Sequence, residues 1–242
     1  MSDRSSTLLP HLKRLVRGFV RRDSKIPIGA VRWGDLRCQE PICANFGYGR
    51  GKPIDRRFIE DFIASCSDDV TGRVLEIKDS NYTRRFGGSR VGQSDVLDIN
   101  SENKAATIVA DLNDAAALES DVYDCVIFTQ TLQYLFAPIN AVRHLHRSLK
   151  PGGVLLLTVP GITPLRECGA DWYWNFTTTA VERLLGELFP SSATSVRSYG
   201  NLICSTAFLY GLSSQELYES EIAFFDPAYQ LIIAARAVKA NR

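Results

Sequence analysis

The chain has 242 residues, 45% of them hydrophobic, so it can bury a substantial core within one elaborated domain. The formal net charge is only +1, which gives no support to nucleic acid or an acidic substrate as a partner. The first 59 residues nevertheless hold 13 Lys/Arg against 5 Asp/Glu, leaving 15 against 22 for the remainder. We therefore expect one fold with a basic leading segment.

The six cysteines are scattered, with no CxxC pair and no histidine at metal-ligand spacing. This pattern predicts free thiols in a reducing compartment, no metal site, and a core position for Cys125 within an apolar run. Apolar runs are too short for a signal peptide or a membrane span, so we expect a cytoplasmic location. The cysteines are Cys38, Cys43, Cys66, Cys125, Cys168 and Cys204.

The stretch "LLPHLKRLVRGFVRR", residues 8–22, has apolar residues at helical spacing with basic residues around them. We interpret residues 1–27 as a basic amphipathic arm. Two roles stay open for its helix. It can make peripheral contact with an anionic membrane, or its apolar stripe can pack on the domain or on a second subunit of a homodimer.

Residues 28–70 begin with Gly and Pro at short intervals, which indicates an irregular segment. Helical periodicity returns in "DRRFIEDFIASC" through Phe58, Ile59, Phe62 and Ile63. From residue 71 to the end at 242, the pattern changes to short apolar runs that alternate with helices. We predict an α/β domain there, with the preceding segments as an N-terminal helical extension of a single domain.

The apolar runs of the α/β region predict strands buried on both faces of a sheet. The helix "PINAVRHLHRSLKPGG" precedes the fifth run, and Pro151-Gly152-Gly153 is expected to end it and turn the chain. The pattern predicts a Rossmann-like, doubly wound, mostly parallel sheet. The predicted strands are 73–77, 94–99, 106–112, 124–130, 152–160, "TSVRSYG" and 229–238, and "TTTAVERLLGELF" is a further predicted helix.

Polar residues stand where four consecutive predicted strands end. In an open parallel sheet the ligand lies outside these carboxyl ends, near the switch in strand order. Glu76 and Asp98 are 22 positions apart, close to the spacing at which a second-strand acid accepts hydrogen bonds from ribose hydroxyls. Asp111-Leu112 and Thr129-Gln130 end the third and fourth strands.

Several motifs together resemble a known family. "VLEI", "DVLDI", "IVADL", "YDCVIFTQTLQYL" and "LHRSLKPGGVLLLTVPG" are similar, in order and spacing, to the motifs of class I S-adenosylmethionine-dependent methyltransferases, in the group called methyltransferase domain 11. "FGYGRGKPIDRRFIEDF" and "DWYWNFTTTAVERLL" resemble a bacterial subset associated with polysaccharide and other secondary-product genes. The resemblance implies S-adenosylmethionine as cofactor and a class I methyltransferase fold.

The resemblance also implies roles for the residues at the strand ends. Glu76 would lie beside the methionine amino group of the cofactor, and Asp98 would receive the ribose hydroxyls. The remaining implied contacts are Asp111 and Leu112 with the adenine, and Thr129 and Gln130 with the sulfonium side.

The loop after the first strand departs from the family pattern, because its first glycines come only at Gly87-Gly88. Glycines in such a loop let backbone N–H groups surround a pyrophosphate. S-adenosylmethionine has no pyrophosphate, so it has less need of them. Asp79, Ser80 and Asn81 form turns, Asn tolerates left-handed backbone angles, and Asp79 can meet the cofactor's ammonium group. We expect a reshaped loop and a shortened first helix. Lys78 would weaken cofactor binding if its side chain pointed inward.

The expected function is methyl transfer to a small-molecule or saccharide acceptor in a biosynthetic pathway. "DWYWNF" supplies the candidate acceptor wall, since aromatic faces suit sugar or ring stacking. Trp172, Tyr173 and Trp174 would line this wall, and Asp171 would accept a proton or bind a hydroxyl. A lid that packs over the sheet edge is the equal alternative for the segment. His144 and His146 fit packing on their helix better than catalysis.

The competing hypothesis is a methyltransferase fold that has lost its cofactor and serves as a scaffold or binding module. An enzyme predicts that the strand-end acids converge on an open pocket. A scaffold predicts a filled cleft, with Lys78, Arg84 or Arg85 pointing into it. A dinucleotide oxidoreductase is disfavoured because the sequence has no GxGxxG.

Overall fold

The computed structural model describes residues 26–114, 118–165 and 171–241. The chain divides into two compact units at the junction of Gln39 and Glu40. The described part of the first unit contains turns and one 3-10 turn, Gly34–Leu36. The basic helix predicted over residues 8–22 lies outside the described residues, so it stays a prediction.

The second unit alternates strands and helices, as the periodicity predicts. The strands are β1 (Gly72–Ile77), β2 (Val91–Asp98), β3 (Ile108–Val109), β4 (Tyr123–Thr129), β5 (Leu149–Pro160), β6 (Thr194–Tyr199) and β7 (Ile232–Val238). The α-helices are α1 (Ile54–Ser65), α2 (Pro138–Ser148), α3 (Thr178–Leu185), α4 (Leu202–Leu209) and α5 (Glu219–Ala223). Short 3-10 turns lie at Ser67–Asp69, Gly88–Arg90, Leu132–Tyr134, Ser191–Ala193 and Ser214–Glu216, and a π-helical turn spans Thr83–Gly87.

The seven strands form one sheet in the order β3-β2-β1-β4-β5-β7-β6. All pairs are parallel except those that β7 makes with β5 and β6. The order reverses between β1 and β4, which is the switch point where such sheets bind ligands. The predicted doubly wound, mostly parallel sheet is confirmed.

Both faces of the sheet are covered by helices, which explains the near-continuous apolar runs. Leu155 and Leu156 are adjacent in β5 and fully buried, yet they belong to two separate cores. The core that contains Leu155 includes Leu145 of α2 and Val181 of α3. The core that contains Leu156 is formed with α1, α4 and α5.

The prediction of a strand over 106–112 is wrong in its length, since only Ile108–Val109 pair with β2. Thr107 and Ala110, on either side of β3, still donate backbone hydrogen bonds to Val96 O and Asp98 O of β2, both at 2.9 Å. The hydroxyl of Thr107 accepts from Val96 N at 2.9 Å, and Asp111 Oδ1 accepts from Asn113 N at 2.8 Å in a local turn. The turn at Asp111 competes with the sheet and ends the edge strand there.

Pro151-Gly152-Gly153 was expected to end a helix and turn the chain, but it lies inside β5. Helix α2 has already ended at Ser148, and the pairing register of β4 and β5 shifts beside the glycines. A Cβ on Gly153 would lie 2.9 Å from two backbone carbonyl oxygens, so only glycine fits. The motif therefore forms a bulge within the strand.

The segment between β6 and β7 carries α4 and α5, two helices that have no counterpart among the predicted elements. Asn201 is 2% exposed and caps α4, because its side-chain oxygen accepts from Cys204 N at 2.9 Å. Its amide nitrogen donates to Glu221 O at 2.7 Å and Phe224 O at 2.6 Å. One buried side chain thus joins the start of α4 to the end of α5.

The described cysteines carry free thiols, and Cys125 is a fully buried core residue, as predicted. Cys168 lies outside the described residues. None of the helices within the described ranges is long and apolar enough to cross a membrane.

Candidate active site

The carboxyl ends of β1, β2 and β4 meet at one edge of the sheet, called here the carboxyl edge. Glu76 of β1 pairs in register with Val96 of β2 and Ile127 of β4, so the residues that follow each strand emerge side by side. Glu76, Asp98 and Thr129 therefore share this edge, as their positions in the sequence predict.

Glu76 is buried, 2% exposed, and it holds the loop that follows its own strand. Tyr82 N donates to Oε1 at 3.0 Å, and Thr83 donates to Oε2 from its backbone N and its hydroxyl, both at 2.7 Å. Burial raises the pKa of Glu76 although these hydrogen bonds oppose the shift, and the nearby charge of Asp79 adds to the rise. The carboxylate thus caps the segment that follows the loop.

The loop forms the turn that its residues predict, but its left-handed residue differs from the expected one. Lys78, not Asn81, has a positive φ of 71°. Asp79 Oδ1 accepts from Asn81 N at 2.8 Å, which is the predicted turn. The helix that follows is short, passing from Asn81 into the π-helical turn Thr83–Gly87.

The two arginines of this loop have partners of their own. Arg85 forms an ion pair with Glu60 of α1 at 2.8 Å and lies over the ring of Phe86. Arg84 donates to Asn81 Oδ1 at 2.6 Å, and Lys78 is exposed. The two arginines are therefore held in contacts at the surface, unlike the arrangement that the scaffold hypothesis predicts.

Asp98 lies half-buried at the end of β2 within a polar network. Its Oδ1 accepts from Asn100 N at 2.9 Å, and its Oδ2 accepts from Asn103 Nδ2 at 2.5 Å. Asn103 Nδ2 also donates to Lys78 O at 2.7 Å, which ties the loops after β1 and β2 together. A carboxylate has about four acceptor positions, so Asp98 can accept further hydroxyl donors. Asn103 carries no motif signal in the sequence, so only the structure identifies its role.

Asp111 and Leu112 follow the short β3. Asp111 Oδ1 accepts from the backbone and side-chain nitrogens of Asn113, at 2.8 and 3.0 Å. Leu112 is 5% exposed and packs in the core that contains α2 and α3. Their implied contact with adenine stays a prediction.

Gln130 occupies a second left-handed position, with φ of 48°, directly after β4. Its backbone N donates to Thr158 O at 2.9 Å, and its carbonyl accepts from Gln133 Nε2 at 2.9 Å. Gln133 is 1% exposed, and its Oε1 has no hydrogen-bond partner among the described residues. The turn after Thr129 therefore keeps an unused buried acceptor beside the carboxyl edge.

The aromatic segment 171–176 docks on this turn. Tyr173 N and Trp174 N both reach Gln133 O, at 2.9 and 3.3 Å, and Trp174 Nε1 donates to Leu135 O at 3.0 Å. Trp172 packs edge-on against Tyr134, with ring centroids 5.2 Å apart. The structure thus places the predicted acceptor wall next to Thr129-Gln130, although 41 positions separate Gln130 from Asp171 along the chain.

Asp171 is exposed and accepts a 2.9 Å hydrogen bond from the hydroxyl of Tyr173. That bond to a carboxylate raises the pKa of the Tyr173 phenol, which keeps it protonated. The side chains of Tyr173 and Trp174 are 43% and 41% exposed, so each offers part of its ring to a ligand.

The two described histidines lie away from the carboxyl edge. His144 and His146 belong to the last half of α2, whose end leads directly into the start of β5 at the opposite edge. His146 packs edge-on against Phe189 at 4.8 Å, and burial lowers its pKa. This position agrees with a packing role.

A family model described as "Methyltransferase domain" matches residues 53–189, more than half of the chain. The chain therefore belongs to this methyltransferase domain family, of the class I S-adenosylmethionine-dependent type that the motifs predicted. The match begins at α1, so it includes the helix before the first strand as well as the strand-end acids. No curated protein is similar enough in sequence to this chain to count as a match.

Solved structures with the same fold are similar over most of the chain at low identity. The N-methyltransferase NodS from Bradyrhizobium japonicum WM9, in complex with S-adenosyl-L-homocysteine, has 14% identity and a TM-score of 0.51, covering 78% of this chain and 89% of that chain. An S-adenosylmethionine-dependent methyltransferase from Mesorhizobium loti has 13% identity and a TM-score of 0.50, covering 77% and 98%. The [4+2]-cyclase SpnF has 14% identity and a TM-score of 0.51, covering 80% and 84%.

The residues at the carboxyl edge fit the chemical groups of S-adenosylmethionine. Asp98 is a half-buried carboxylate that can accept hydrogen bonds from further hydroxyl groups. Asp79 lies close enough to Glu76 for their charges to interact, and its Oδ1 accepts from Asn81 N. Negative charge suits both an ammonium and a sulfonium group. The donor set is therefore compatible with this cofactor even without the glycine turn.

Proposed function

We propose that this protein transfers a methyl group from S-adenosylmethionine to a small-molecule or saccharide acceptor in a biosynthetic pathway. The observation that carries the proposal is the convergence of Asp79, Asp98 and the aromatic segment 171–176 on one edge of the sheet. The two carboxylates suit a cationic nucleoside, and the aromatic segment suits an acceptor that stacks on its rings.

The strand-end residues bind and orient the cofactor in this proposal. S-adenosylmethionine supplies, when bound, an electrophilic methyl group on a sulfonium. Asp98 accepts hydrogen bonds from the two ribose hydroxyls, and Asp79 faces the ammonium group. Glu76 keeps the loop in place through Tyr82 and Thr83, and its carboxyl group lies with Asp79 on the side of the methionine amino group.

The aromatic segment orients the acceptor and excludes water in this proposal. Positioning and desolvation supply much of the rate of an in-line methyl transfer, so few catalytic groups are needed. For a hydroxyl acceptor, Asp171 takes the proton as the new bond forms. Its hydrogen bond from Tyr173 fixes the direction of the carboxylate. Trp172, Tyr173 and Trp174 present ring faces to the acceptor.

The first test is calorimetric titration of the whole protein with S-adenosylmethionine and S-adenosylhomocysteine. We expect micromolar binding of both ligands. Asp98→Ala should weaken both by about tenfold or more, because the ribose hydroxyls lose a charged acceptor. Asp68→Ala is the matched control, since Asp68 is exposed in the turn before β1 at the opposite edge.

Retained affinity in Asp98→Ala would contradict the proposed ribose contact. Absence of heat with either ligand, from protein that unfolds cooperatively, would contradict the methyltransferase proposal as a whole. Formation of S-adenosylhomocysteine with a panel of hydroxylated and saccharide acceptors then tests catalysis, and Asp171→Asn should slow transfer to hydroxyl acceptors.

A repurposed fold is the second candidate, and two observations favour it. The left-handed Lys78 stands where family members have glycine, and it puts a cation near the cofactor loop. SpnF, a protein of the same fold, is named for a [4+2] cyclisation. In this alternative the site binds a ligand without methyl transfer. Binding without turnover on any acceptor would support it.

A further inference from the structure

We infer that the surface where α4 begins and α5 ends binds the basic amphipathic segment 8–22 of a second copy of this chain. Four exposed apolar side chains define this surface, called here the α4–α5 surface. They are Leu202 and Ile203 at the start of α4, and Phe224 and Phe225 directly after α5. The inference concerns association of two copies and is independent of the proposed function.

Helix α4 carries apolar residues on its outer side as well as on the side that packs in the core. Cys204, Ala207 and Phe208 are buried, whereas Leu202 and Ile203 are 58% and 43% exposed. A helix that is apolar all round is normally covered on every side. The part of the chain that the structure describes leaves the outer side of α4 uncovered.

Asn201 brings two aromatic residues next to this helix. Its amide nitrogen donates to Phe224 O at 2.6 Å, so the segment after α5 runs beside the start of α4. The side chains of Phe224 and Phe225 are 64% and 54% exposed. Phenylalanine has no polar atom to interact with water, so these adjacent rings and the exposed start of α4 form an apolar patch typical of a protein contact.

The charge around the α4–α5 surface favours a cationic partner. Residues 198–235 contain four acids and no lysine or arginine. Glu216 and Glu219 each pair with an arginine from an earlier part of the chain. Glu221 and Asp226, on either side of the two exposed rings, form no ion pair among the described residues and accept from backbone N–H groups. The apolar patch is therefore bordered by negative charge.

The segment 8–22 has the complementary pattern. It carries five Lys/Arg and no Asp/Glu, and its apolar residues have the spacing of one helical face. That face suits the exposed rings, and the basic residues suit Glu221 and Asp226. An anionic membrane, the other role considered for the segment, would be repelled by these two carboxylates. Charge therefore assigns the α4–α5 surface to the basic segment rather than to a membrane.

A second copy supplies the segment in a closed two-fold arrangement. Two-fold symmetry places the segment of each copy on the α4–α5 surface of the other, so every contact is made twice. Stable protein interfaces bury about 1,200–2,000 Å² in total, which is more than one short helix face provides. Exchange of two segments doubles the buried area and favours a dimer over a single contact.

The first test is analytical ultracentrifugation of the full chain, which should show a reversible dimer. Phe224→Ser/Phe225→Ser should raise the dissociation constant of the dimer about tenfold or more, because each contact loses two buried rings. Val109→Ser is the matched control, since Val109 is 53% exposed in β3, at the other edge of the sheet from β6. Leu12→Ser/Leu15→Ser should weaken the dimer as strongly, and it decides the test if the phenylalanine variant fails to fold.

Carbodiimide cross-linking of an equal mixture of unlabelled and heavy-nitrogen-labelled full chains identifies the contact by mass spectrometry. Lys13 is the only lysine of the segment, so we expect it to link to Glu221 or Asp226 of the copy with the other label.

Three results would overturn the inference. They are a chain that stays monomeric at all concentrations, a dimer that keeps its affinity in either folded variant, and Lys13 links found only within one copy. Vesicles of phosphatidylcholine and phosphatidylserine test the remaining occupant. Co-sedimentation that is lost in Phe224→Ser/Phe225→Ser would also overturn the inference, because the α4–α5 surface would then bind a membrane.

Discussion

Lys78 shows at the scale of one residue how the chain replaces a glycine turn. A positive φ costs a residue with a Cβ about 1 kcal/mol or more, because the Cβ approaches the following carbonyl oxygen. Hydrogen bonds to neighbouring segments offset this cost. Lys78 N donates to Leu97 O at 2.9 Å, and Lys78 O accepts from Asn103 at 2.7 Å. The loop is therefore held from outside rather than by its own preferences.

Lys78→Gly should raise the free energy of unfolding by about 0.5–1 kcal/mol, since glycine adopts this angle freely and its greater entropy in the unfolded chain offsets only part of the gain. Lys78→Ala is the control, because alanine keeps the Cβ, and it should give no comparable gain. Urea unfolding at neutral pH measures both. An equal gain in the alanine variant would show that the lysine charge, not the backbone angle, is unfavourable.

Glu216 links separate elements of the second unit. It accepts from Ser213 N at 2.8 Å within the turn after α4 and from Arg50 Nε at 3.1 and 3.0 Å in the segment before α1. The hydrogen bonds from Arg50 are the largest reason why the pKa of Glu216 falls from its ordinary value of 4.5 to about 2. The pair thus fastens an irregular segment, which has little core of its own, to the helices between β6 and β7.

Glu216→Gln should lower the free energy of unfolding by about 1 kcal/mol at pH 7, after allowance for solvent screening of this partly exposed pair. Because the folded pKa is below the unfolded value, the contribution is complete above pH 4.5 and declines as the pH falls through about 2. The difference between variant and wild type should therefore shrink between pH 5 and pH 3.

Urea unfolding at pH 7, 5 and 3.5 measures this dependence. Glu219→Gln is the comparison, because Glu219 pairs with Arg57 but its side chain is 74% exposed, so the change should be smaller. A Glu216→Gln difference that stays constant from pH 7 to pH 3.5 would contradict the role of the carboxylate charge.

The whole second unit depends on one sheet that separates two cores. Leu155 and Leu156 contribute to opposite cores from adjacent positions, so neither core can form without the same strand. The antiparallel β7 and the helices before it complete the face that α1 covers. We expect the two cores to unfold together.

Leu155→Ala and Leu156→Ala should each lower the free energy of unfolding by about 2–5 kcal/mol, because both side chains are fully buried and leave cavities. Far-ultraviolet circular dichroism and tryptophan fluorescence should give coincident unfolding transitions in both variants. Separate transitions in either variant would contradict a single cooperative unit.

The sequence alone determined the fold class, the helix α1, most strands of the sheet and the strand ends at which the candidate site lies. Hydrophobic periodicity reflects which faces of a helix or strand are buried, so it predicts these elements without coordinates. The acids at Glu76 and Asp98 were found because they follow apolar runs at fixed points. β3 is shorter than predicted because Asp111 accepts from Asn113 N in a local turn and does not continue the strand.

Only the tertiary structure decided how the pieces of the site meet. The aromatic segment reaches Gln133, Glu76 caps the loop after its own strand, and Lys78 takes the left-handed angle. These contacts and angles depend on side-chain hydrogen bonds and backbone geometry, local in the case of Glu76 and long-range in the others, and they produce no periodic pattern in the sequence. The local pattern of apolar residues shows which positions are buried. The pairing of polar groups is determined only when the sheet brings the strand ends together.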